Sequence, residues 1–281
     1  MARSVSLSTR SAAARLNAEP FEDSRDYVQS LARGLAVLRA FDGAHVRLKL
    51  GDIAVRTDLS RAATRRLVLT LSHLGYVRSI DGEYALSPSV LELGFGYLGS
   101  LNLTDLAQPL LEDLARKVNQ SSSMAMLDGQ SIVYVLRVPG RRIMSVTLGV
   151  GARLPAFSAS MGRVLLSGLS DAQLDRWLGQ CQPVKLTPHT VTDLHRLRRI
   201  ILDVRTQGYA YVEQELELGL CSIAVPVRNA DGRIATAINV SMPYHPEASQ
   251  QAINTILPDL LLTADAIERC VPANRLPGVS A

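Results

Sequence analysis

Apolar residues recur at three- and four-residue steps through Val28, Leu31, Leu35, Leu38 and Phe41, which predicts a helix over 27–41 closed by Asp42-Gly43. A short helix is predicted over 50–57. The turn Thr57-Asp58-Leu59 separates it from a third helix, with Ser60 placed as its N-cap and Gly75 just past its end. On a wheel for residues 60–74, Ala63, Leu67, Leu71 and Leu74 share one face. Arg61, Arg65 and Ser72 lie opposite, with Ala62, Thr64 and Arg66 on the flanks. Residues 76–86 then alternate apolar and polar around Asp81-Gly82, a β-hairpin signal. Three helices and a hairpin in this order describe a winged helix-turn-helix.

Pro88 suits the first turn of a further helix, 89–101, which carries Gly94, Gly96 and Gly99. Each glycine weakens an isolated helix by roughly 1 kcal/mol against alanine. Packing must supply the difference, and pairing with a twin in a dimer would do so. Beyond it the pattern predicts a helix over 103–119 and strands over 122–127, 131–138 and 143–148. Helices follow at 161–166, 171–178 and 193–207, strands at 209–213, 221–228 and 234–242, and a last helix over 246–270. Hairpin-linked strands with helices at either end make an α+β domain on an antiparallel sheet. The expected organisation is a disordered basic tail (1–24), a winged helix-turn-helix domain (25–87), a linker helix (88–101), a larger domain (102–272) and a short tail (273–281).

Charge changes this picture by its location. Between Arg47 and Arg78 there are seven basic residues and two acids, a local excess of five. From residue 101 onward, 17 basic residues face 16 acids. A positive field confined to one small region is the footprint of a nucleic-acid binder. In that reading Arg61 and Arg65, one helical turn apart, reach base edges from the first turns of the third helix. Ser60, Thr64 and Arg66 suit phosphates, with Ala62 beside them and Arg78 on the hairpin. Read from that helix in isolation, these arginines are equally an ordinary solvated face; the flanking LGDIAVRTDLS and LGYVRSIDGEYAL favour the nucleic acid.

Other chemistry is sparse. Cys181, Cys221 and Cys270 are widely spaced with no CxxC pair, which suits a reducing cytoplasm and argues against a disulfide framework or zinc site. No apolar run approaches the roughly 20 residues of a membrane span. Ser158-Ala-Ser160-Met-Gly162 lacks the first glycine of a nucleophile elbow, there is no phosphate loop, and Gly94-Phe-Gly96 falls within a predicted helix. Neither an enzyme nor a cofactor is expected. An architectural DNA binder is the alternative, and it has little use for so large a second domain.

Residues 27–86, above all LKLGDIAVRTDLSRAATRRLVLTLSHLGYV, resemble the N-terminal domain of the IclR family of bacterial regulators. RLPAFSASMGRVLLS (153–167) and YAYVEQELELGLCSIAVPVRNADGRIATAINVSMP (209–243) resemble that family's effector-binding domain, which is GAF/profilin-like. The stretch 121–167 is most similar to the regulators of aromatic-acid catabolism, whose effectors include protocatechuate, 4-hydroxybenzoate and β-ketoadipate. The resemblance implies a cytoplasmic regulator of catabolic genes that binds a double-stranded DNA operator and a small carboxylic acid. It implies a homodimer or homotetramer, and contact with RNA polymerase if the regulator activates. It places the effector at Leu148, Ser158, Ser160, Met161, Gly162, Ser222, Asn239 and Ser241, where the start of a helix would meet a carboxylate. Arg137 and Arg142 are further hints. Bland readings stand beside these: Ser160 as a helix cap, Asn239 and Ser241 on the solvent side of the sheet, Cys221 as a buried apolar group, and Glu213, Glu215 and Glu217 as a solvated acidic face.

Overall fold

In a computed structural model, residues 21–93, 103–140 and 149–270 are described. Contacts divide the chain into two compact units, 1–94 and 95–281. The tails over residues 1–20 and 273–281, the strand expected at 143–148, and most of the linker helix beyond its first residues, Val90 to Leu93, lie outside the described residues.

The first unit holds α1 (Gln29–Arg39), α2 (Leu50–Thr57), α3 (Arg61–His73), β1 (Val77–Ile80) and β2 (Glu83–Leu86). Local chemistry sets its boundaries. Ser60 Oγ accepts from Ala63 N at 3.3 Å, capping α3 as the sequence predicts. Asp81 and Gly82 both take positive φ (52° and 82°), the backbone that a tight hairpin demands. Leu48 bridges to Tyr84, which attaches the hairpin to the helices. Val37, Phe41, Leu48, Ile53, Val68, Leu71 and Val77 form the core.

The buried stripe of α3 differs from the predicted one. Thr64, Val68 and Leu71 point inward, whereas Leu74 is exposed and Ala63 and Leu67 are half-buried. The wheel is rotated because Thr64 is a core residue in effect. Its hydroxyl donates to the Ser60 carbonyl at 3.0 Å, leaving a methyl to pack.

The second unit is a six-stranded antiparallel sheet between two helical layers. Its elements are α4 (Leu103–Val118), β3 (Ser121–Asp128), β4 (Ser131–Val138), β5 (Arg153–Pro155), α5 (Ser160–Ser167), α6 (Asp171–Gln180), α7 (Leu194–Gln207), β6 (Ala210–Glu213), β7 (Leu220–Arg228), β8 (Ile234–Pro243) and α8 (Leu257–Cys270). A helical turn and a π-helical turn, Ala252–Ile256, lead into α8. Strand order is β5-β4-β3-β8-β7-β6. The short strand β5 was not predicted.

Alternation along the strands builds two cores. Ile223, Val225, Ile238 and Val240 pack under α4 and α8 with Leu111, Leu260 and Ile267. Ala224 and Ala237 face the other way, onto the layer of Met161, Leu165, Trp177, Leu197 and Ile201. Trp177 Nε1 donates to the Gly129 carbonyl at 2.8 Å and fixes α6 over the β3–β4 turn.

One irregularity positions the site. Between β3 and β4, Met124 pairs with Leu136 but Ala125 pairs with Tyr134, so Val135 is an extra residue. This bulge reverses the alternation. Val135 and Leu136 both join the α4–α8 core, and Tyr134 and Arg137, three apart, both face the α5 side.

Candidate functional site

Arg61, Ala62, Arg65 and Arg66 are exposed on α3, and Arg78 is exposed on β1. The ion pairs of this unit join Asp42 to His45 and Arg56, and none engages those four arginines. Their charge is uncompensated among the described residues, as a phosphate-binding surface requires. Ser60 is exposed at the start of α3, its hydroxyl turned to the cap. Thr64 is the correction. It is buried and cannot meet a phosphate from that position.

In the second unit, Ser158, Ser160, Met161, Ser222, Asn239 and Ser241 line a single cavity of about 40 Å³. Their sequence positions span two strands, a 3-10 turn and the first turn of α5. Tyr134, Arg137, Leu154, Val212, Glu215, Leu216 and Leu220 complete the wall. Ser160 is the first residue of α5 and not its cap, which is Ala159 without a side-chain bond. Its Oγ receives the Ser222 hydroxyl at 2.8 Å. Asn239 and Ser241 face the cavity and not solvent. Asn239 Nδ2 donates to Ser241 Oγ at 3.1 Å, while the buried Oδ1 has no partner among the described residues.

Two expected residues are not among the described lining. Leu148, like Arg142, lies outside the described residues. Gly162 is buried but does not line the cavity. A Cβ there would sit 2.1 Å from the Ala156 carbonyl oxygen, so the glycine serves contact between α5 and the preceding 3-10 turn.

The acidic series is likewise not a solvated face. Glu215 is buried and pairs with buried Arg163 at 2.7 Å. Glu215 also accepts from Val191 N at 2.9 Å, and Arg163 Nε donates to the Phe157 carbonyl at 3.0 Å. Tyr211 donates to Glu213 at 3.0 Å. Cys221 is buried, which pushes its thiol up from the ordinary range, as an apolar role predicts.

The cavity's electrostatics follow. Glu215 is neutralised by Arg163 behind it, and the other charged lining residue is Arg137. Burial pushes the Tyr134 phenol up to about 12, so it stays protonated beside that cation. The α5 start adds N–H groups without intrahelical acceptors, since the helix's hydrogen bonding begins where Arg163 N donates to the Ala159 carbonyl at 3.0 Å. Sequence reasoning missed Tyr134, Glu215 and the apolar wall. The unbroken apolar run Val133-Tyr134-Val135-Leu136 is the signal that alternation fails there.

Arginines on a winged helix in one unit, and a cavity with an apolar wall and a few convergent polar groups inside a sheet-and-helix unit, are the build of a DNA-binding regulator that responds to a small molecule. The sequence matches the family descriptions "IclR helix-turn-helix domain" over residues 30–81 and "Bacterial transcriptional regulator IclR C-terminal" over 95–269. The chain belongs to the IclR family of bacterial transcriptional regulators. It is 41% identical to the Pca regulon regulatory protein of Pseudomonas putida, over 86% of this chain and 84% of that one. It is 36% identical to the p-hydroxybenzoate hydroxylase transcriptional activator of Acinetobacter baylyi, over 88% and 93%. The crystal structure of an IclR homolog from Microbacterium hydrocarbonoxydans, complexed with 4-hydroxybenzoate, superposes with a TM-score of 0.76 at 27% identity, covering 85% of this chain and 98% of that one.

Proposed function

We propose that this chain is a cytoplasmic, non-catalytic regulator of catabolic genes whose effector is a small carboxylic acid, aromatic or derived from ring cleavage. The observation that carries the reading is the bulge at Val135, which turns Arg137 into a cavity whose other charge is already paired. A site with one cation that no carboxylate answers among the described residues selects an anion. The names of the Acinetobacter and Microbacterium relatives support an aromatic acid. Among the described residues no histidine lines the cavity, and the Ser160 hydroxyl meets another serine, which supports binding over turnover.

Ring-sized cavities are on the order of 150 Å³. At about 40 Å³, this one admits a benzoate only when flexible walls such as Met161, Leu154 and Leu216 move. Fluorescence anisotropy of a labelled operator, titrated with benzoate and hydroxybenzoates, tests the effector reading. Operator affinity should shift with one of these acids in the native protein. In Arg137→Gln the same shift should require about 10–100-fold more acid, the equivalent of one charge-assisted hydrogen bond of roughly 1.5–3 kcal/mol. A shift at unchanged acid concentration would remove Arg137 from the site.

DNA reading is assigned to Ser60, Arg61, Ala62, Arg65, Arg66 and Arg78. Arg65→Ala should cost about 1–3 kcal/mol and relax preference at one base position, whereas Arg66→Ala should weaken all sequences evenly and flatten the salt dependence. Native-like operator binding by both variants would refute this face. A second copy of the chain is expected to pair through the linker region, giving a dimer or tetramer on a roughly palindromic operator. The exposed Val28, Leu31 and Leu35 of the first unit support such pairing. If the regulator activates, RNA polymerase is its further partner.

A further inference from the structure

We propose that the groove at the C-terminal end of α5 is a second ligand site, shaped for a short-chain dicarboxylate. It encloses about 540 Å³, within the range of small-molecule sites. Val164, Leu169, Val204 and Ile234 form an apolar floor, and Arg205, Arg228 and Arg233 stand around it. No carboxylate side chain lines it among the described residues.

The three arginines have different tasks. Arg205 is spent on structure. Its Nε and Nη2 donate to the carbonyls of Ser167 and Leu169 at 2.9 and 2.7 Å, capping the end of α5. Its Nη1 meets Asp171 at 2.7 Å, and this pairing holds the Asp171 carboxyl below its usual range. Arg228 is oriented without being neutralised, since its Nη1 donates to the uncharged Gly232 carbonyl at 3.0 Å. Glu268 accepts the backbone N–H of Arg228 from α8, which packs on the opposite face of the sheet. Arg233 is exposed and forms no ion pair among the described residues.

The β7–β8 turn fixes the backbone that carries these two arginines. Asn229 Oδ1 accepts from the backbone of Asp231 and Arg233 at 3.1 and 3.0 Å, and Asn229 N donates to the Arg233 carbonyl at 2.9 Å. Two arginines carried by one turn with a fixed backbone, both bordering an apolar floor, suit two carboxylates joined by a few methylenes. An inorganic anion would leave the floor unused. The site is independent of the effector cavity, but the two share α5: Ser160 and Met161 border the cavity, and Val164 and Ser167 border the groove.

Calorimetry on the full chain with succinate and glutarate, at constant ionic strength, tests the site. Saturable binding in the millimolar range or tighter is expected. Arg233→Gln and Arg228→Gln should each weaken it about tenfold or more, and Arg137→Gln should leave it unchanged. Butyrate and sulfate should bind at least about fivefold more weakly. Three results overturn the proposal: no saturable binding, sulfate binding as well as the dicarboxylates, or binding that Arg137→Gln abolishes and Arg233→Gln spares. The last would place the dicarboxylate in the effector cavity and leave the proposed function standing.

Discussion

Glu215→Ala should lower the stability of the second unit by about 3–5 kcal/mol, the cost of stranding one member of a buried ion pair. The side chains of Arg163 and Glu215 are 3% and 9% exposed, so water cannot take over the role of the missing carboxylate. Val191 N would lose its acceptor at the same time. The segment that carries Glu215 is also held by Thr187 and Thr190, whose hydroxyls donate to the Gln214 and Glu215 carbonyls at 2.6 and 2.7 Å. Those bonds survive the substitution, so the damage should centre on Arg163 and on the cavity wall at Leu216. Replacing both partners, as Arg163→Met with Glu215→Leu, should recover most of the loss, since no charge is then buried unpaired. Urea unfolding followed by circular dichroism reads both variants. A loss below about 1 kcal/mol for Glu215→Ala would mean that the pair is solvated in solution.

Gly162→Ala should be comparably harmful, at about 1–3 kcal/mol or more, although it adds one methyl group. The new Cβ would lie 2.1 Å from the Ala156 oxygen and 2.5 Å from its Cα, both backbone atoms that cannot swing aside. The start of α5 would have to move off the 3-10 turn, carrying Ser160 and Met161 with it. Effector affinity should therefore fall together with stability. Gly179→Ala, near the end of α6 and with open space around it, is the matched control. It should stabilise by about 0.5–1 kcal/mol, because alanine is the better helix former. Equal melting temperatures for Gly162→Ala and the native chain would contradict the backbone contact.

Local chemistry was legible in the sequence, and three-dimensional compensation was not. Ser60 announces a helix start because a cap needs only its own neighbours. Asp81-Gly82 announces a hairpin for the same reason. Thr64 was misplaced because its polarity is cancelled by a carbonyl four residues back, which a wheel drawn by residue type does not register. Glu215 looked like one of three solvated acids because Arg163, its partner, is 52 residues away in sequence. Ser158, Ser160, Met161, Ser222, Asn239 and Ser241 were brought together by family resemblance, and their convergence on one cavity is a property of the folded unit. Arg137 required the bulge, since strict alternation sends it and Tyr134 to opposite faces.

The measurement that bears most directly on the effector cavity is a calorimetric cycle with an acid and its amide. 4-Hydroxybenzoate and 4-hydroxybenzamide have nearly the same shape and differ in charge. If Arg137 receives the carboxylate, the native protein should bind the acid at least about tenfold more tightly than the amide, and Arg137→Gln should remove most of that preference. Equal affinity for acid and amide in the native protein, or full discrimination retained in Arg137→Gln, would contradict a carboxylate site at this cation.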